Sequence, residues 1–324
     1  MTQLPIALDA MGGDDAPAAI VAGALRARDE HGVASILVGR PDELGDTGGL
    51  EVFEASEVIA MDDDPASSVR RRKDSSLVRA AELVRDGRAA AMVSAGNTGA
   101  TAASALLRMG RIKGVARPGI AAPIPVPGST PTTLLDAGAM AECQPEWLVQ
   151  FARMGEVYAA ERFGIERPRV GLLSIGEEST KGNALVKETH ALLVDAGLDF
   201  IGNVEGRDIM SDAVDVVVTD GFTGNVVLKT LEGALGSFVG AIAGALGQLP
   251  DGGAEAIGAL APLATQMHPD TYGGALLLGT DGVCVISHGS STPEAIVNAL
   301  GVARSLSDAG LVDRLAAAVA PAPA

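Results

Sequence analysis

Six short runs, Ile6–Leu8, Ser35–Val38, Ala91–Ser94, Val170–Ser174, Asp215–Thr219 and Val283–Ser287, are dense in aliphatic residues, and Ala-rich stretches of helical pattern separate most of them. A strand that returns to its sheet through a helix comes back parallel, so the rhythm implies a largely parallel sheet with helices on both faces, a three-layer α/β/α fold. The chain carries one Trp, two Tyr and six Phe in 324 residues, so its core must be built from Ala, Val, Leu and Ile. The Pro-rich segment Arg117–Pro131 is read as a loop or as edge strands dividing two lobes, because Pro breaks helices and removes a ladder donor. The expected organisation is one domain over 1–320, with an apolar helical hairpin at about 229–265 and a disordered tail at 321–324.

Charge and cysteine content narrow the functional classes. Lys plus Arg is 24 against 41 for Asp plus Glu, a net charge of −17 that repels polyphosphate backbones. With so few aromatic residues for base stacking, nucleic acid is not expected as a partner. From Gly87 to Leu135 no acidic residue occurs, while Arg88, Arg108, Arg111, Lys113 and Arg117 do. This basic island reads either as a dock for an acidic partner or as a solvated rim. Cys143 and Cys284 belong to no CxxC or Cys/His cluster, so neither a disulfide framework nor a zinc site is indicated. His31, His190 and His268 lack metal-ligand spacing and are read as surface or packing residues. The N-terminal residues lack the basic region and long apolar run of a secretory signal, so the cytoplasm is the expected compartment.

Between Glu232 and Asp251 lie 18 uncharged residues, near the length that spans a bilayer, but five are Gly and spanning is disfavoured. Leu231, Leu235, Phe238, Ile242, Leu246 and Leu249 form one stripe, beside a smooth track of Gly236, Gly240 and Gly244. A core or subunit-interface helix and an amphipathic membrane-surface element both fit that pattern.

Four strand-to-turn junctions combine Gly with hydroxyl or amide side chains: Ser94–Gly99, Ser174–Asn183, Thr219–Asn225 and Ser287–Ser291. At such junctions free N–H groups and the helix dipole favour an anion of phosphate size, although Asn and Thr there also serve as simple caps. In a parallel sheet these turns gather beyond the carboxyl ends of the strands. Nucleotide signatures are absent: Asp9-Ala10-Met11-Gly12-Gly13-Asp14 stands where GxGxxG would follow the first strand, and no GxxxxGK[ST] occurs. The chain also has no GxSxG elbow, so no serine acyl-enzyme is indicated. Lys181 reads as a phosphate-neutralising ammonium or a surface lysine, and His288 as a proton donor or a turn residue. Asp9 and Asp220 end strands, where they either orient a donor or cap the next helix.

At these junctions the sequence closely resembles the PlsX family, the phosphate acyltransferases of bacterial phospholipid synthesis. The matching segments are IALDAMGGD (Ile6–Asp14), RRKDSSL (Arg71–Leu77), VSAGNTGA (Val93–Ala100), LLDAGA (Leu134–Ala139), FARMG (Phe151–Gly155), GLLSIGEESTKGN (Gly171–Asn183), GNVEGRDI (Gly202–Ile209), VDVVVTDGFTGNVVLKTLEG (Val214–Gly233), YGGALLLG (Tyr272–Gly279) and SHGSS (Ser287–Ser291). They run in order through nearly the whole chain. Two departures stand out: Met140 where the family usually has Asn after LDxGA, and Leu276 where it has Pro.

The resemblance implies transfer of a long-chain acyl group from acyl carrier protein to inorganic phosphate. It also implies a homodimer, a fold similar to phosphotransacetylases and isopropylmalate dehydrogenases, peripheral membrane association at the inner face, and neither a metal nor an organic cofactor. The acidic carrier would dock on Arg108, Arg111, Lys113 and Arg117, with Arg70–Lys73 as a second strip. The region 231–249 would pair subunits or touch lipid. On this reading phosphate and the acyl group sit among Asp9, Gly12, Gly13, Asn97, Thr98, Asn183, Asp220, Thr223 and Gly224, with Lys181, Asn225 and His288 as catalytic groups. Two rivals are a short-chain acyl-CoA:phosphate transferase and a non-catalytic carrier-docking or membrane scaffold.

Overall fold

The six aliphatic runs all become strands, and each places alternate residues in two separate cores. In the computed structural model, which describes residues 3–249 and 251–320, Ile6 and Leu8 of β1 (Ile6–Asp9) face one core while Ala7 faces the other. The remaining strands are β2 (Ser35–Gly39), β3 (Glu51–Glu54), β4 (Ala91–Ser94), β5 (Gly119–Ile124), β6 (Thr132–Leu135), β7 (Arg169–Leu173), β8 (Asp199–Val204), β9 (Val216–Val218), β10 (Ala275–Leu278) and β11 (Val283–Ile286). They form one sheet in the order β3-β2-β1-β4-β11-β10-β5-β6-β9-β7-β8. The proposed disordered tail at 321–324 lies outside the described residues.

Helices cover both faces, as the alternating rhythm requires. One face carries α1 (Ala18–His31), α5 (Pro145–Phe163), α6 (Ala184–Val194), α9 (Pro293–Asp308) and α10 (Leu311–Val319). The other carries α2 (Pro65–Arg71), α3 (Ser76–Arg85), α4 (Thr98–Arg108) and the inner part of α7 (Gly221–Gly247), from which α8 (Gly253–Gln266) folds back. Tyr158 and Phe151 of α5 are the largest fully buried side chains, and aliphatic and Ala residues fill most of the rest. The α/β/α class read from the sequence is therefore the observed one.

The middle of the sheet departs from the simple parallel reading. The pairs β11–β10, β10–β5 and β5–β6 are antiparallel, and all other pairs are parallel. Strands β1 to β5 and β11 therefore run one way, apart from β10 and the group β6, β9, β7 and β8, which run the other. The Pro-rich segment, read as loop or edge, supplies an interior strand instead. Pro123 is tolerated because it sits opposite Thr133, whose N–H donates to Asp215 on the far side, and because the pairing of β5 with β10 ends at Ala121. Leu276, where the family has Pro, is buried in β10 and pairs on both sides with Val285 and Ala121.

An ion pair fastens the far half of the sheet. Arg169 donates from Nε and Nη2 to Asp215 at 2.9 Å each, and its backbone N–H reaches the same carboxylate at 2.7 Å. Burial alone raises the Asp215 carboxyl, but these bonds and the guanidinium charge outweigh it and hold the group below the usual carboxylate range. A depressed folded-state value contributes stability that is complete above the unfolded value near pH ~4 and disappears as pH falls through the lower folded value. Asp215→Asn is expected to cost about 1 kcal/mol at neutral pH, given the partial exposure of Arg169. In urea titrations the gap between variant and parent should close as acidification passes below the ordinary carboxylate range and through that lower folded value.

Candidate active site

The reversal of strand direction moves the crevice off the sheet edge and onto its face. Ile120 and Ala122 of β5, two residues apart and hence on one side, form the floor of a cleft of about 380 Å³. Thr98 and Gly99 at the start of α4 form one wall, and Asn225, Leu228, Lys229 and Glu232 of α7 form the other. Ser287, His288 and Ser291 after β11, together with Asp270, close the third side. The turns thus reach the cleft from opposite edges of the sheet, which a wholly parallel sheet would not permit.

The α4 wall presents free donors. Asn97 caps this helix, its Oδ1 accepting from Ala100 N–H at 3.0 Å, and the helix geometry leaves the Thr98 and Gly99 amides without intrahelical partners. The Asn97 amide group is itself consumed, donating to the carbonyls of Met61 at 2.9 Å and Asp63 at 3.2 Å. That clamp ties the segment before α2 to the start of α4, and a Cβ at Gly99 would lie 2.7 Å from Pro65. Opposite, the Ser287 hydroxyl is buried and lacks a hydrogen-bond partner. His288 Nδ1 accepts from Ser290 N–H at 3.2 Å and lies 2.7 Å from the Ser290 hydroxyl, which assigns the proton of the neutral ring to Nε2.

The α7 wall depends on a carboxylate absent from the site residues read in the sequence. Asp136, fully buried, accepts four backbone N–H bonds: from Ile120 at 2.9 Å, Gly138 at 3.0 Å, Ala139 at 2.9 Å and Met140 at 2.7 Å. Burial pushes its carboxyl up from the ordinary value, against the four amides that favour the charged form. The helix start presses onto this loop. A Cβ at Gly224 would fall 1.9 Å from the Asp136 carbonyl oxygen, and one at Gly221 would meet Asp136 Oδ2 at 2.6 Å. Met140 acts through its backbone, donating to Asp136 and accepting from Gly221 N–H at 2.8 Å, which accounts for an apolar residue where the family has Asn.

Of the residues proposed from sequence, Thr98, Asn225 and His288 line this cleft. Several others prove to hold the walls instead. Asp220 caps α7 through Thr223 N–H at 2.9 Å and also accepts the Thr223 hydroxyl at 2.8 Å, so both side chains are spent on the helix start. Asp9 is buried, raised by its burial, and accepts the Ser94 hydroxyl at 2.7 Å. Gly12 is there for close approach, since a Cβ would lie 2.4 Å from Asp9 Oδ2 and 2.8 Å from Gly96, while Gly13 packs beside Gly289. Gly224, as described, is required by Asp136.

Lys181 and Asn183 stand on the turn after β7, one strand beyond β9, and are not among the described residues lining the cleft. Asn183 caps α6 by accepting from Val186 N–H at 2.9 Å, and the Lys181 stem folds back over Gly176. The ammonium in the cleft belongs to Lys229, paired with Glu232 at 2.8 Å. Its signal in the sequence was helical spacing: Asn225, Lys229 and Glu232 recur at four and three residues and share one face. Ser287 was signalled only by its place in the SHGSS turn, and Asp136 by LLDAGA.

The two basic strips differ in availability. Arg108 is largely covered and lies 3.8 Å from Glu82, Arg111 donates to the Ala116 carbonyl, Arg117 stacks over Trp147 at 4.5 Å, and Lys113 is exposed. This island sits past the C-terminal end of α4, about 16 Å from the cleft by the length of that helix. Arg70, Arg71 and Lys73 are exposed on and after α2, the helix that packs against α4.

Comparison with known proteins follows the same lines. A family model described as fatty acid synthesis protein matches residues 4–314. A phosphate acyltransferase from Elusimicrobium minutum is 50% identical over 321 residues, covering 95% of this chain and 93% of the relative. One from Myxococcus xanthus is 48% identical over 334 residues, covering 98% and 94%. Among solved structures, a phosphotransacetylase from Streptococcus pyogenes superposes with a TM-score of 0.63 at 18% identity, covering 95% of this chain and 94% of that one, a likeness of fold.

The Asp136 loop supplies a stability test. In Asp136→Asn an amide N–H₂ replaces one acceptor oxygen and leaves at least one buried backbone N–H unanswered, with an expected loss of about 2–4 kcal/mol in chemical denaturation at neutral pH. A loss below that of an ordinary surface substitution would contradict the assigned role.

Proposed function

The chain belongs to the fatty acid synthesis protein family and is a phosphate acyltransferase, and from that premise we propose that it moves a long-chain fatty acyl group from acyl carrier protein to inorganic phosphate in the α4–α7 cleft, forming acyl phosphate for phospholipid synthesis. The observation that carries this reading is the convergence of donors on one cavity: the Thr98 and Gly99 amides, the Lys229 ammonium and His288 Nε2. Phosphate lies against the α4 start, where the dipole and free amides favour an anion, with the Lys229 ammonium across the cleft.

A phosphate oxygen attacks the thioester carbonyl carbon, forming the C–O bond. The tetrahedral oxyanion is met by the Asn225 side-chain amide, and its collapse breaks the C–S bond. The departing thiolate accepts a hydrogen bond from His288 Nε2–H, and the proton of the attacking hydrogen phosphate ends on the sulfur as the free thiol. No nucleophile of the chain is consumed, so positioning and charge neutralisation supply the acceleration. The acidic carrier docks on Arg70, Arg71 and Lys73 rather than on the more distant and mostly engaged island of Arg108, Arg111, Lys113 and Arg117. The exposed apolar residues toward the tip of the α7–α8 hairpin, Leu249 among them, support a homodimer contact or peripheral attachment to the inner face of a membrane by an otherwise cytoplasmic enzyme.

Purified protein, long-chain acyl carrier protein and phosphate should yield an acyl phosphate that hydroxylamine traps. Acetyl-CoA as donor tests the short-chain alternative suggested by the phosphotransacetylase fold. In this assay Asn225→Ala is expected to lower kcat about 10²–10³-fold with little change in thermal unfolding. Retained kcat would move the oxyanion contact elsewhere. Arg71→Glu combined with Lys73→Glu should raise the KM for acyl carrier protein about tenfold at low salt, an effect that shrinks as salt increases. An unaltered KM would place the dock on another surface.

A further inference from the structure

The cleft does not end at Glu232. A second cavity of about 350 Å³ shares Pro123, Leu228, Glu232, Asp270 and His288 with it, and a third of about 450 Å³ shares Leu235, Val239, Ala264 and Met267 with the second. The walls advance together from one cavity to the next. On one side the lining passes from Pro123 to Pro125 to Pro127, and along α7 from Asn225 through Leu235 to Ile242. The third wall runs back along α8 from Met267 to Ile257. Polarity falls in the same order: the first cavity carries Lys229, Glu232 and Asp270, whereas every residue lining the third is apolar.

We propose that this run is the acyl-chain channel of the enzyme, with the thioester at Asn225, the alkyl chain laid along α7 and its methyl end in the groove between α7 and α8. The inference rests on the proposed acyl transfer and adds to it the site for the fatty chain and the glycine that keeps its path open. From Asn225 to Ile242 the helix rises about 25 Å, enough for an extended long-chain acyl group. An alkyl chain is the ligand this gradient fits, because it has one polar end, at the reacting carbonyl, and buries only apolar surface beyond it. The path depends on the missing side chain at Gly236. This glycine lines the second cavity, halfway along, and a Cβ there would meet nothing within 4 Å, so a larger side chain enters open channel rather than packed protein. A phenylalanine at 236 would stand across the path.

The test compares palmitoyl and butyryl carrier protein as donors, with hydroxylamine trapping of the acyl phosphate. Gly236→Phe is expected to lower the palmitoyl-to-butyryl ratio of kcat/KM at least tenfold. Gly233→Phe, the same substitution at another open glycine that does not line these cavities, should leave the ratio at the parent value. The retained butyryl rate reports folding and chemistry within the same experiment. An unchanged ratio in Gly236→Phe, or an equal fall with both donors, overturns the channel while leaving acyl transfer intact. A parent enzyme that turns over neither donor overturns the transfer reading itself. If Gly233→Phe shifts the ratio as far as Gly236→Phe, the hairpin is serving another occupant, such as a second copy of the chain, and the channel is again refuted.

Discussion

A single buried carboxylate, Asp136, holds the reacting half of the molecule in shape. Its four accepted amide bonds join the end of β6 to β5, the floor of the cleft, and shape the 136–140 loop on which the start of α7 rests. Burying an ionisable group is costly unless its lone pairs are satisfied, and here the backbone satisfies them. Gly221 and Gly224 follow from the same constraint, because α7 can approach that loop only where it has no side chain. The position of Asn225, and of everything farther along α7, is therefore set by a residue outside the cleft lining.

The second constraint is directional. Three antiparallel pairs at the centre of an otherwise parallel sheet turn its two halves against one another, so that helix starts from both halves meet above β5. This places free amides of α4 opposite the polar face of α7, each half contributing one wall. An interior strand containing Pro123 is acceptable because pairing with β10 stops before the missing N–H would be needed. The site is thus a product of the whole sheet.

Helix α7 then connects chemistry to chain binding. Over 27 residues it passes from a capped, glycine-tight start through Asn225, Lys229 and Glu232 to an outer half whose Phe238, Val239 and Ile242 are exposed. Such a helix is long and apolar enough to cross a membrane by composition, yet its inner end forms the wall of the cleft. The apolar stripe seen in the sequence packs on the core at Leu231 and lines the successive cavities at Leu235, Phe238 and Ile242.

The sequence by itself determined the α/β/α class, because aliphatic runs alternating with helices can bury both faces of a sheet in only one general way. It also marked Thr98, Asn225 and His288, whose turns follow strands regardless of how the sheet is ordered. Strand order and direction were decided by tertiary structure, since β5, β6 and β10 announce neither their partners nor their sense in local pattern. Lys181 and Asn225 share one kind of turn, yet only Asn225 lines the cleft, and Lys229 lines it from mid-helix: similar turn chemistry is visible along the chain, whereas distance across the sheet is not. For the same reason Asn97, Asn183 and Asp220 resemble ligand residues. A side chain that caps a helix and one that meets a substrate have the same composition, and only the geometry of their hydrogen bonds separates them.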